Sequence, residues 1–212
     1  MQATRTDPPN IPVRSGGWPV RRAPRWAFAA AAVLLAIGVA VGLVHHPTKG
    51  ERAADLRSLV AALRADIQSC SGGVGESLQA LRAIRTGTSH DLATAIGIAR
   101  TGSANCSPAN NELLDDLTSV EVPESLSSFR LAAGVTDLIG WAAPDAIRVQ
   151  SDVAAVLADI GKPGEATAVA RLGRALDALD AKRAAVYADF APAIKALAPR
   201  LEFPVLHGRS SR

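Results

Sequence analysis

Residues 55–84 read DLRSLVAALRADIQSCSGGVGESLQALRAI, and how this stretch is read decides the fold. Leu56, Val60, Leu63, Ile67, Cys70, Val74, Leu78, Leu81 and Ile84 recur at intervals of three or four, which places them on one face of a helix. The face continues straight through Ser71-Gly72-Gly73. A glycine inside a helix costs about 1 kcal/mol relative to alanine, so a helix from Glu51 to roughly Thr86 needs a reason for glycines at its middle.

The reason is expected on the next leg. Thr86-Gly87-Thr88-Ser89 reads as a stop followed by an N-cap, with Asp91 in the first turn of a second helix. Leu92, Ile96, Ala99, Ser103 and Cys106 then mark one face. Thr88 lies midway between Cys70 and Cys106, so an antiparallel hairpin folded there sets the two cysteines opposite each other. Packed helices ordinarily lie 8–10 Å apart, roughly, whereas a disulfide wants Cα atoms about 4.4–6.8 Å apart. Small neighbours on both sides, Ser69 to Gly73 and Gly102 to Ser107, allow the closer approach, and a Cys70–Cys106 disulfide is predicted. With no C-x-x-C and no histidine at ligand spacing, a redox or metal role for the pair is not expected.

Two further legs complete the pattern. Ser107-Pro108 breaks the second helix before a short continuation, ELLDDL, toward Val120, and Val122-Pro123 turns the chain. A third leg runs from about Glu124 to Ile160 and is kinked or divided at Pro144. Gly161-Lys162-Pro163-Gly164 is the next turn. Val169, Leu172, Leu176, Leu179, Val186, Phe190, Ile194 and Leu197 form the apolar face of the fourth leg, whose end Pro192 is placed to bend. Legs over 51–86, 89–120, 124–160 and 165–198, joined by short turns, predict an all-α, up-down-up-down four-helix-bundle-like domain over 51–198. An even number of legs brings the C-terminus back to the starting end, with residues 199–212 as a loose tail.

Ahead of the bundle, residues 26–44 read WAFAAAAVLLAIGVAVGLV without a charge, about 28 Å as a helix and close to the thickness of the bilayer's hydrocarbon. Arg5, Arg14, Arg21, Arg22 and Arg25 precede it against Asp7 alone, so the positive-inside rule puts the N-terminus in the cytoplasm and the bundle outside. The apolar run exceeds a signal h-region and no A-x-A site follows, which favours a retained anchor over a cleaved signal peptide. The expected organisation is a disordered basic cytoplasmic tail (1–25), one transmembrane helix (26–44), a linker (45–50) and an extracytoplasmic bundle. Gly38 and Gly42 form G-x-x-x-G, a possible dimerisation face within the span. The layout resembles, in kind only, the membrane-anchored four-helix extracytoplasmic domains of bacterial sensors; without a second span and output domain, the resemblance implies no site residue.

The formal net charge of +3 comes from the front, since residues 51–212 carry 17 basic and 19 acidic side chains, and no basic, aromatic-interleaved stripe is present. Nucleic acid is not expected as a partner. Neither are metal or cofactor chemistry and catalysis: G-x-S-x-G, H-E-x-x-H, P-loop and G-x-G-x-x-G motifs are absent, and the four histidines, His45, His46, His90 and His207, are not at ligand spacing. The cluster to watch is Trp141, Pro144 and Asp145 at the kink. In register, the indole faces Ala184-Ala185 and packs in the core, or else it lines a ligand or partner pocket. The expected function is therefore a non-enzymatic interaction or scaffold module of the cell envelope, held by the lipid bilayer, with an envelope protein as partner and a homodimer as a further possibility. The alternative is an extracytoplasmic sensor of a small molecule or envelope component.

Overall fold

The computed structural model describes residues 46–209 apart from 108 and 111. The expected cytoplasmic tail, the span with Gly38 and Gly42, and residues 210–212 lie outside the described residues. Among the described residues the chain is helical, with no strand, and no helix there is long and apolar enough to cross a membrane.

Helix α1 (Lys49–Arg85) is a single 37-residue rod that passes through the glycines unbroken. Its start is fixed by a capping box: the Glu51 amide donates to Thr48 Oγ1 while the Thr48 amide donates to the Glu51 carboxylate at 2.7 Å. It therefore takes in the last two residues of the expected linker. Its end is fixed by Gly87, whose φ of 71° is a left-handed conformation that terminates the helix without strain. Helix α2 (Leu92–Asn105) follows. Its cap is Asp91 rather than a residue two positions earlier, with the Thr94 amide and hydroxyl donating to the carboxylate at 2.9 and 2.6 Å. Those two hydrogen bonds, the hydroxyl's first, hold the Asp91 carboxyl below its usual range.

Helix α3 (Glu112–Leu117) is the ELLDDL segment, a separate short helix after the break at Ser107. A 3₁₀ turn at Glu124–Leu126 precedes α4 (Leu131–Gly140), so the third leg becomes helical later than expected. A widened π-type turn (Trp141–Ala146) joins α4 to α5 (Ile147–Asp159); Ala143 within it adopts extended φ and ψ, and the Ala143–Pro144 peptide is cis. The third leg is thus divided at the predicted proline, which has no amide hydrogen to give to the helical ladder. Helix α6 (Glu165–Leu197) is continuous through Pro192.

Paired contacts give the direction of the legs. Cys70 meets Cys106, and Gly73 meets Gly102. Gly134 lies against Phe190 and Gly140 against Lys182, so α4 and α6 run antiparallel. Arg85 pairs with Glu165 where the two turns meet, at the end opposite Thr48. The core between the legs holds Leu56, Leu63, Ile67, Leu131, Leu138, Trp141, Leu157, Leu179 and Phe190, all fully buried. On α2 the buried line is Ala95, Ala99, Gly102 and Cys106, while Leu92 and Ile96 are only half-buried. The smaller side chains win the inner position because they alone permit the close approach to α1.

The expectation of a loose C-terminal tail is overturned for residues 199–209. This segment runs back along the bundle as an extended strap between α1 and α6. Arg64 donates to the Glu202 carbonyl at 2.6 Å, and Ser71 to the Val205 carbonyl at 2.7 Å, while Arg209 reaches the Gly173 carbonyl at 2.9 Å and Asp177 at 2.9 Å. Partner numbers rise along α1 and fall along α6, so the chain travels away from Thr48. Arg209 consequently lies near the start of α6, at the end opposite the one expected for the C-terminus. Leu206 is buried and Phe203 packs on Phe190, their ring centroids 4.5 Å apart. That apolar contact is the physical reason the segment docks rather than remaining in solvent.

One buried acid faces the second leg. Asp66 on α1 is only 7% exposed, and burial first, then the charge of Asp116 on α3, push its carboxyl above the usual carboxylate range. A raised carboxyl in the folded state opposes folding once pH exceeds the unfolded value, and the penalty is complete above the folded value. Replacing Asp66 with asparagine is therefore expected to raise Tm by a few degrees at neutral pH. The gain should shrink as pH falls through the carboxylate range, which thermal unfolding across a pH series will measure.

Candidate functional site

The disulfide node is built from residues that leave little volume. Cys70 and Cys106 are joined and fully buried, with a Cα–Cα distance of 4.5 Å, at the short end of the range that bridges allow. A Cβ added to Gly73 would stand 2.9 Å from the Gly102 Cα, so backbone rests on backbone there. Gln150 of α5 closes the third side: its Nε2 donates to Cys106 Sγ at 3.2 Å and its Oε1 covers Gly102. Gln150 had no periodic or motif signal in the sequence. A buried amide between two helices is visible only once the third leg has been docked.

The three glycines at the middle of α1 thus stand in three different surroundings. Gly73 permits the approach of α2. Gly75 lies under the His207 imidazole, whose nearest ring atom is 3.1 Å from the position of a Cβ. Gly72 faces open space, with nothing within 4 Å. A groove follows, lined by Gly72, Gly75, Glu76, Gln79, Arg82 and His207 and enclosing about 420 Å³. Ser71, which the sequence offers only as a small neighbour of the disulfide, accepts from the His207 amide at 3.3 Å while donating to the strap.

Tyr187 is the strap's second fastening. Its hydroxyl donates to the Pro204 carbonyl at 3.1 Å and accepts from the Leu206 amide at 3.0 Å, while its ring meets Phe203 edge-on. The signal for this was in the sequence. LEFPVL at 201–206 holds four large apolar residues, too many for a solvated tail.

The kink cluster is not assembled as one opening. Trp141 is fully buried, Pro144 is exposed and Asp145 is half-buried. The turn that carries them packs against α1 and α6, and its neighbour Gly140 meets Lys182, close to the Ala184-Ala185 position expected opposite the indole. Lys182 donates to Asp137 at 2.7 Å. That hydrogen bond first, and then the charges of Asp137 and Asp145, raise the ammonium above its usual value. Among the described residues no group of three or more His, Cys, Asp or Glu side chains is placed to hold a metal ion. Compared with protein-family models, curated proteins and solved structures, the chain matches none.

Two measurements follow from this geometry. Gly73→Ala should destabilise the domain by about 1–3 kcal/mol, because a methyl against backbone forces the helices apart, whereas Gly72→Ala should be neutral or stabilising by up to ~1 kcal/mol. Denaturant unfolding of the two variants, with the disulfide intact in each, compares them directly. Tyr187→Phe leaves the Leu206 amide without its acceptor. We expect that amide to exchange with solvent at least ~5-fold faster while amides at the centre of α1 are unaffected, since a hydrogen bond is worth about 1 kcal/mol.

Proposed function

We propose that the chain is a single-pass membrane protein whose helical bundle faces the extracytoplasmic side and serves as a non-enzymatic interaction or scaffold module of the cell envelope. The observation that carries the reading is the buried Cys70–Cys106 bridge at the point where two helices meet backbone to backbone. Such a bridge persists in oxidising compartments and is rare in the cytosol. The charge-free segment 26–44, with five arginines in the 25 residues before it against Lys49 and Arg52 just after it, supports the matching topology. The loop between the cysteines is long enough that closing it contributes about 4 kcal/mol in the chain-entropy model, a natural use for a bridge in a domain with few aromatics.

A scaffold is favoured over a sensor by the state of the kink. A ligand pocket there would have to be lined by Trp141, and that indole is wholly enclosed by the core. The solvent-facing surface, with the groove beside Gly72 and His207 and exposed polar helix faces, is what the domain offers to others. The Gly38/Gly42 face in the span provides a route to a homodimer.

The test is fractionation of cells expressing the full chain, followed by intact-mass analysis without reductant. The expected result is a membrane-bound species that resists alkaline extraction, retains residues 1–45, carries one disulfide and is cut by protease added from outside the cytoplasmic membrane. In-cell crosslinking should yield one reproducible envelope partner. A cytosolic chain with two free thiols would overturn the proposal.

A further inference from the structure

At the Thr48 end of the bundle, where the strap leaves α6, two surface notches adjoin and share Pro199 and Leu201. One is lined by Arg57, Leu197, Ala198 and Arg200, and its neighbour includes Ile194, Lys195 and Phe203; each encloses about 410 Å³. The floor is apolar and partly open, with Leu201, Ile194 and Phe203 half-buried. The rim holds three cations, and neither notch has an acidic residue in its lining. No hydrogen bond or ion pair joins Arg57, Lys195 or Arg200 to another described residue, although ten or more other charged side chains of the domain are so engaged.

Lys195 and Arg200 flank the C-terminus of α6, where a cation complements the terminal carbonyls. Arg57 lies outside that explanation, because it stands in the third turn of a different helix, beyond the reach of either helix end. Its presence on the same rim points outward, to an anion that the three would share. Guanidinium groups over an apolar floor match a phosphodiester with acyl chains beside it: the fork engages two phosphate oxygens, and the floor takes the first methylenes.

The chain itself says which anion is near. Only residues 45–48 separate the charge-free segment from α1 in the sequence, so an anchor there ties this end of the domain to a bilayer whose anionic headgroups are the charges at hand. We infer that this notch seats the headgroup of an anionic phospholipid of the membrane in which the chain is anchored, holding the bundle against the bilayer. The inference rests on the single-span reading above and adds a specific lipid contact to it.

Full-length protein reconstituted in nanodiscs of phosphatidylcholine alone, or enriched in phosphatidylglycerol, tests it through hydrogen exchange of residues 195–203. The expected result is a several-fold slowing in the phosphatidylglycerol discs, weakened by high salt as screened charges require. The slowing should be lost in the Arg57→Gln/Arg200→Gln double variant, whose thermal unfolding is unchanged, and retained in Arg174→Gln, a change at the far end of α6. Equal exchange in both kinds of disc overturns the inference and leaves the span intact. Protection by millimolar inorganic phosphate in neutral discs overturns it in favour of a free anion. A chain that alkali strips from the discs overturns the span reading and this inference together.

Discussion

The contact of Gly73 with Gly102 sets the dimensions of everything around it. Two helices that meet without side chains between them come close enough for the neighbouring cysteines to bond, and the bond then makes the close approach irreversible under oxidising conditions. Because α1 and α2 stand so near, the third leg cannot insert a large residue at that level. It supplies Gln150, whose amide covers Gly102 with its oxygen and reaches the sulfur with its nitrogen. Bulk is displaced to other levels of the core, above all to Trp141 and Phe190, which are wholly enclosed.

A second constraint comes from the opposite seam. First and last legs are both long, and where they would otherwise expose Phe190 the chain doubles back to cover it with Phe203. The strap has no helical or sheet partner for its backbone. Its polar groups are therefore met by side chains: Arg64, Ser71 and Tyr187 each engage a strap main-chain group. A buried carbonyl or amide without such a partner would cost about as much as a hydrogen bond contributes. This explains why a serine and a tyrosine stand at those helix positions.

The long helices and the first hairpin were legible in the sequence because their apolar spacing is sustained over many turns, and because two cysteines equidistant from a Gly-containing turn fix register without any further assumption. The break at Pro144 and the burial of Trp141 in the core were legible for a similarly local reason. Which residues of α2 face inward was not, since a periodicity count ranks Leu92 and Ile96 above alanine and glycine, and only the demand for closeness reverses the order. The pairing of Asp137 with Lys182 depends on the register of the second hairpin to within a turn, which spacing alone does not supply. The strap was missed because six residues are too few for any period to show, although their apolar content was evident.

Because the strap returns along α1, the domain is entered at Thr48 and left at Arg209 from opposite poles. Tension applied between those two points would load the strap's side-chain bonds to α1 and α6 sideways and all at once, rather than peeling them one by one. Such a load would be shared among Arg64, Ser71, Tyr187 and Asp177 rather than carried by one of them in turn.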